Sequence, residues 1–347
     1  MIDNMFNIEL DAYLKEISDT PTLSGFEHIG QEVFARYARK YLSELHYDGL
    51  GNLIGRIPYP GRPSLMLIAH IDQIGFIIKH IDDKGMLYVV PVGGVDTMLL
   101  AGQRVCIHHG EKSYLGVFAR KPIHLLTEQE RRGYTFEELW LDVGFSSRSH
   151  AEKFVAIGDS VTFSSDLCPL SDDLVVSSAA DNKVGGLILL GVLQKLWNEK
   201  IRYDIYVVSS VQEEIGLRGS MPVASAIKPD MALIIDATHA TDYPSINNRV
   251  CGNTMLQGGP VLCISPDTNR AFVEKLHMTA DKHEIVCQTE VHPHATGTEA
   301  RAVQLVREGI VTATVSYPVR YMHSPSELFS IADVQNCIDL IVALCKA

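Results

Sequence analysis

Val207-Val208-Ser209-Ser210-Val211-Gln212-Glu213-Glu214-Ile215-Gly216-Leu217-Arg218-Gly219 reads as a buried strand running into a charged loop. The apolar run from Ile205 to Val208 supplies the strand, and Gly216 and Gly219 bracket the start of a new helix. Successive side chains in extended backbone point in different directions, so Glu213 and Glu214 can serve two partners a few ångströms apart. One can hold a metal while the other handles a proton. A solvated acidic turn is the ordinary explanation of an isolated Glu-Glu pair, so the rest of the chain has to decide.

A second apolar run, Leu65-Met66-Leu67-Ile68-Ala69, reads as a strand buried on both faces. It ends at His70-Ile71-Asp72, beyond the carboxyl end of a strand, where open α/β sheets place their sites. Upstream, residues 7–18 and 27–45 carry apolar positions at helical spacing, broken by Pro21, Ser24 and Gly25. From Gln73 to Leu174 the texture changes to short alternating segments at 76–81, 86–90, 103–108, 114–118, 139–143 and 160–163, with helical stretches only at 127–131 and 147–154. The α/β rhythm then returns. A helix is expected over 183–198, another after Arg218, a strand over 231–235 ending in Asp236, a helix over 298–307, a strand over 310–315 and a closing helix over 331–344. The expected architecture is a discontinuous, doubly wound α/β domain, residues 1–72 and 175–347, with a smaller all-β barrel-like domain, residues 73–174, inserted into it.

With 347 residues, 46% of them apolar and 21% charged, the chain can build a full core. A formal net charge of −12 argues against nucleic acid or an anionic membrane as partner, and Arg131-Arg132 is an isolated basic pair. A small or peptidic ligand is expected instead. The seven cysteines show no CxxC spacing and read as thiols in a reducing compartment. Met1-Ile2-Asp3-Asn4-Met5 lacks the pattern of a leader and no apolar run reaches membrane-spanning length, so a cytoplasmic protein is expected.

Five positions follow an apolar run or open a helix: His70, Asp181, Glu214, Asp236 and His323. Singly, each has an ordinary explanation: a core histidine, a helix N-cap, a turn cap, a surface histidine before a proline. Together they supply two imidazoles and three carboxylates, the mixed N/O set that suits a pair of zinc-like ions, with the charge of two divalent cations balanced by three carboxylates and a hydroxide. Asp181, at a helix opening, is the natural bridge between the ions. Asp72 is placed to receive the proton of the His70 imidazole's other nitrogen and fix its tautomer. Spacing leaves open which glutamate of the pair binds metal; the other is placed to take a proton from water activated there. That division of labour is the chemistry of hydrolysis.

Thr22-Leu23-Ser24-Gly25-Phe26-Glu27, Ala69-His70-Ile71-Asp72, Val92-Gly93-Gly94, Lys121-Pro122-Ile123-His124, Ala180-Asp181-Asn182-Lys183-Val184-Gly185, Gln212-Glu213-Glu214-Ile215-Gly216 and Arg320-Tyr321-Met322-His323-Ser324-Pro325 together carry a resemblance over essentially the whole chain. In them the chain resembles the dinuclear metallo-aminopeptidases that include glutamyl aminopeptidase, deblocking aminopeptidase and the tetrahedral aminopeptidases. The resemblance implies one metal held by His70, Asp181 and Asp236, another by Asp181, Glu214 and His323, Asp181 bridging, and Glu213 as general base. It also implies two divalent ions, zinc with cobalt or manganese as alternatives, a peptide substrate, and an α/β metallopeptidase domain whose inserted β domain joins dimers that build a dodecamer. Three positions depart from that pattern: Gln73 where Glu is usual, Glu299 in Gly297-Thr298-Glu299-Ala300 where Asp is usual, and Gly186 where Cys or Ala is common. Hydrolysis of the N-terminal peptide bond is the expected activity. A deacylase or carboxypeptidase on the same scaffold is the alternative enzyme, and a non-catalytic subunit that kept the fold is the alternative from another class.

Overall fold

The computed structural model describes residues 5–164 and 167–346. Met1 to Asn4, on which part of the leader reading rests, lie outside the described residues. The strands form two sheets. One is a large mixed sheet in the order Glu44–Tyr47, Leu53–Ile57, Asp204–Ser210, Ser64–His70, Met231–His239, Val311–Arg320, Glu327–Ser330, Leu174–Ser177 and Cys168–Pro169, with Val261–Ile264 and Gln288–Val291 attached to one side. The other is a closed antiparallel barrel of six strands lying between Gly75 and Phe163.

The four central strands of the large sheet run parallel, so all their carboxyl ends lie along one edge. Burial on both faces explains their unbroken apolar runs. In Ser64–His70, Leu65, Leu67 and Ala69 enter the larger core, built with the helices Ile8–Asp19, His28–Ala38, Ala180–Leu196, Arg270–Lys282 and Ile331–Cys345. Met66 and Ile68 point the other way, into a smaller core under Ser220–Ile227 and Ala300–Val303. Leu233 and Ile235 against Ala232 and Ile234 repeat the same division one strand over. Helices cover both faces, which makes the sheet doubly wound. The barrel has its own core around Phe76, whose ring meets Phe118 and Phe163 edge-on. Among the described residues no helix is long and apolar enough to cross a membrane.

Several element boundaries differ from the sequence reading. The helix expected over 27–45 ends at Ala38 with one further 3-10 turn, and Glu44–Tyr47 instead pairs antiparallel with Leu53–Ile57. The helix expected over 298–307 is confined to Ala300–Val303, and the stretch at 127–131 holds only the 3-10 turn Glu130–Arg132. Between 237 and 297 the sequence reading assigns no element, whereas the structure has Val261–Ile264, Arg270–Lys282 and Gln288–Val291. Arg270–Lys282 is an amphipathic helix with one buried face, Phe272, Val273, Leu276 and Ala280, capped by the Asn269 side chain. Gly186 has a packing reason: a Cβ there would meet the Tyr13 hydroxyl at 2.5 Å.

The loop from Val211 to Gly219 is closed by backbone bonds from Gly219 to Val211 and from Arg218 to Gln212. Asn52 ties both ends, accepting from the Val211 N–H and donating to the Gly219 carbonyl. A Cβ at Gly219 would lie 2.4 Å from the Val211 carbonyl oxygen and 2.4 Å from Asn52 Oδ1. Gly219→Ala is therefore expected to lower stability by about 1–3 kcal/mol through overpacking, read by thermal or urea denaturation; an unchanged midpoint would contradict this view of the loop.

Candidate metal centre

The parallel strands bring the sequence-predicted residues to one edge of the large sheet. His70 ends its strand directly beside Ser210, and Asp236 continues the row of Ala232 and Ile234. Glu213 and Glu214 stand in the loop after Asp204–Ser210. Asp181 lies in the opening turn of Ala180–Leu196, where Asp181 (φ −78°, ψ 108°) and Asn182 (φ −124°, ψ 35°) leave helical geometry. Asp181 Oδ1 has no hydrogen-bond partner among the described residues, so that oxygen does not cap the helix. His323 follows Val311–Arg320 in a turn of positive φ.

The side chains converge. His70 Nε2 lies 3.3 Å from Asp181 Oδ1, 3.4 Å from Asp236 Oδ1 and 3.9 Å from Glu213 Oε2. On the other side, His323 Nε2 lies 3.5 Å from Asp181 Oδ2 and 3.4 Å from Glu214 Oε2. Asp181 thus turns one oxygen to each histidine, and its Oδ1 is buried without a hydrogen-bond partner. Such a carboxylate can touch two cations at once, and the surrounding N and O donors fit ions of the zinc class.

Two further carboxylates hold the backbone of this cluster. Asp72, fully buried, accepts the N–H groups of Glu213 (2.9 Å) and Glu214 (3.1 Å) and the Ser24 hydroxyl. The nearest acceptor to His70 Nδ1 is the Asp72 backbone carbonyl at 3.1 Å, with the carboxylate at 3.4 Å. The tautomer is therefore set mainly by the main chain, leaving the carboxylate to organise the glutamate loop. Glu327 was missed by sequence reasoning. It accepts the N–H of Asp181 (2.9 Å) and of His323 (2.7 Å), joining two candidate ligands 142 positions apart through one buried side chain. Its spacing of four residues after His323 is the only sequence signal it offers. The barrel also contributes: His323 Nδ1 lies 3.0 Å from the Gly94 carbonyl, and a Cβ at Gly94 would press within 2.8 Å of that nitrogen.

The electrostatics follow from burial and crowding. Burial pushes the carboxyl pKa of Glu213, Glu214 and Asp236 upward, and their neighbours add repulsion. Burial also opposes charge on Asp181, yet the facing His323 and His70 imidazoles hold it below the ordinary range. Asp181 and Glu214 raise His323 to about 11 despite its partial burial. Burial works against the His70 imidazolium, but Glu213, Asp181, Asp236 and Asp72 outweigh it and raise the pKa. The cluster is an excess of negative charge that attracts cations. It lines a cavity of about 780 Å³ whose wall also includes Leu217, Met221, Leu305 and Met322.

Known proteins resemble this chain in sequence and in fold. The family profile of M42 glutamyl aminopeptidases matches residues 51–340. A lysyl aminopeptidase of Pyrococcus furiosus is 35% identical over 335 residues, covering 95% of each chain. Among solved structures, the aminopeptidase APDkam598 of Desulfurococcus kamchatkensis aligns at TM-score 0.91 with 33% identity, over 96% of this chain and 94% of that one. The TET1 peptidase of Pyrococcus horikoshii, described as able to assemble into a tetrahedron or a large octahedral shell, aligns at TM-score 0.87 with 28% identity, over 97% and 99% of the two chains.

Of the positions that depart from the resemblance, Gln73 accepts the Thr22 hydroxyl through its side-chain oxygen. Glu299 lies beneath the centre, fully buried beside Ser210, and neither of its carboxylate oxygens has a hydrogen-bond partner among the described residues. Burial pushes its pKa up to about 8, with His70 and Ser210 pulling the other way. A carboxyl raised in the folded state stabilises fully below its unfolded pKa and loses that contribution as pH rises towards the folded value. In the metal-free protein, Glu299→Gln is therefore expected to match the native chain at pH near 5 and to exceed it in Tm progressively up to about pH 8. Calorimetry at a series of pH values checks this; a gap that stays constant with pH would contradict it.

Proposed function

The chain belongs to the M42 glutamyl aminopeptidase family, and from that premise we propose that it removes residues stepwise from the free N-termini of short peptides, using two divalent ions held by His70, Asp181, Glu214, Asp236 and His323. It is a metal-dependent aminopeptidase, a hydrolase. The observation that carries the reading of a paired site is Asp181, with Oδ1 facing His70 and Oδ2 facing His323. In this reading His70, Asp181 and Asp236 hold one ion, and Asp181, Glu214 and His323 the other. Zinc is the ion we assign, with cobalt and manganese compatible with the same donors. Ions bound there would polarise the scissile carbonyl and make water acidic enough to be deprotonated near neutral pH.

The remaining chemistry belongs to the chain. Glu213 is buried within the cluster, 3.9 Å from His70 Nε2 and within 4.8 Å of both the His70 and Asp236 donors, but the two oxygens that face both histidines belong to Asp181. Burial makes its carboxylate more basic than a solvent-exposed one. It takes a proton from the attacking water and returns it to the leaving amine, so one group serves both halves of the hydrolysis. Asp72 positions it, by fixing the two backbone N–H groups of the glutamate pair. Glu327 does the same for Asp181 and His323.

For assembly, we propose a cytoplasmic homo-oligomer, a dodecamer built from dimers, with no nucleic-acid or membrane partner. In this reading the inserted domain, residues 73–174, is the dimerisation module. Exposed apolar side chains on its loops, Met98, Leu99, Ile123 and Leu125, support that assignment, and the tetrahedron or octahedral shell described for the Pyrococcus horikoshii relative supports a homo-oligomer.

Glu213→Gln is expected to retain bound metal and the fold while turnover falls by roughly 10²-fold or more, the scale of losing a general base; full activity in that variant would remove Glu213 from the mechanism. Incubating the metal-loaded protein with a mixed peptide pool and reading masses over time tests the substrate class. Stepwise loss from free N-termini is the expected outcome. Shortening from the carboxyl end, or cleavage only of blocked termini, would overturn it in favour of a carboxypeptidase or deacylase.

A further inference from the structure

A second group of metal-type donors stands in the wall of the same cavity, with no residue in common with the centre already described. Val261–Ile264 and Gln288–Val291 pair in parallel, and their register sets Cys263 directly beside Glu290. Side chains in a strand alternate, so residue 292 returns to the face of residue 290. His292 is kept in line by its N–H bond to the Ile264 carbonyl at 3.0 Å. Cys263, Glu290 and His292 thereby offer one donor atom each, all within 4.8 Å of one another. His292 Nε2 and Glu290 Oε2 are 3.7 Å apart. Donor atoms around a tetrahedral zinc-type ion stand about 3.3–3.8 Å apart, given bonds of about 2.0–2.3 Å. The residual closure falls to His292, the exposed member of the group.

We propose that Cys263, Glu290 and His292 form a third metal site, for a single zinc-type transition ion, with its remaining coordination position open to the cavity. Three observations support it. Thiolate, imidazole and carboxylate together select borderline ions over calcium or magnesium. Thr238 donates its hydroxyl to Glu290 Oε2 at 2.7 Å, orienting the carboxylate in the way that outer partners orient metal ligands. Cys263 and Glu290 come from paired strands, which fixes their separation before any ion arrives. Without a cation the thiol stays protonated, since burial and Glu290 push it up to about 12. Binding forms the metal–sulfur bond, breaks the S–H bond and releases one proton to solvent, with no change of oxidation state.

Cobalt(II) distinguishes this site from the five-residue centre, because that centre contains no thiolate. Titrating the metal-free full chain with Co²⁺ should give a third equivalent beyond the two assigned above, accompanied by a sulfur-to-cobalt charge-transfer band in the near ultraviolet. Cys263→Ser and His292→Ala should both lose the band and stop one equivalent short of the native chain. His292 is exposed, so its variant reports on the site even where the buried Cys263 substitution impairs folding. A native chain without the band, a band that persists in Cys263→Ser, or an equal stoichiometry in native and His292→Ala proteins would each overturn the proposal. The band depends on Cys263 however many ions the carboxylate-rich centre takes, so failure of one assignment leaves the other readable.

Discussion

Five carboxylates buried together at the end of one sheet, Asp72, Asp181, Glu213, Glu214 and Asp236, impose the constraint around which this protein is built. Like charges withdrawn from water repel and lose hydration, and two histidines are too few to offset them. The fold answers with backbone. Asp72 is neutralised in part by two N–H groups and a hydroxyl, while Glu327 receives the N–H groups of Asp181 and His323. What remains unanswered is the inward-facing charge, and divalent cations are its natural partners. Doubly wound architecture makes the arrangement possible, because neighbouring parallel strands deliver their carboxyl ends to one edge from distant points in the chain.

The barrel is tied to that chemistry as well as to the surface. Its loop at Gly93-Gly94 reaches the His323 imidazole, and the absence of a side chain at Gly94 lets the carbonyl approach Nδ1. Here it fixes the orientation of one candidate ligand.

Much of this was legible in the sequence, for a physical reason. Buried parallel strands write themselves as continuous apolar runs, and the polar residue that ends each run is already at the site edge, as with His70 and Asp236. Asp181 and His323 were legible by their position at an element boundary. The partners of their backbone were not. Glu327 reaches Asp181 across 146 positions, and Asp72 turns its carboxylate to the glutamate loop and not chiefly to His70. Such pairings arise only after the sheet forms. Weak amphipathic signals suffered similarly: Arg270–Lys282 buries only one narrow face, and Glu44–Tyr47 is mostly exposed, so neither announces itself by apolar density. The pairing of Cys263 with Glu290 is of the same kind, since register between strands 27 positions apart cannot be read from spacing.

The account stands on Asp181 as the bridge between two ions, with Glu213 outside their coordination. Anomalous diffraction from crystals of the zinc-loaded protein, recorded at the zinc edge, tests this directly. At this centre two peaks separated by about 3.5–4 Å are expected, one bounded by His70 and Asp236 and the other by Glu214 and His323, with one Asp181 oxygen directed to each; the proposed site at Cys263, Glu290 and His292 would add a peak of its own. A single peak held by His70, Glu213 and Asp236 would contradict it, because Glu213 would then be a ligand and could not serve as the base.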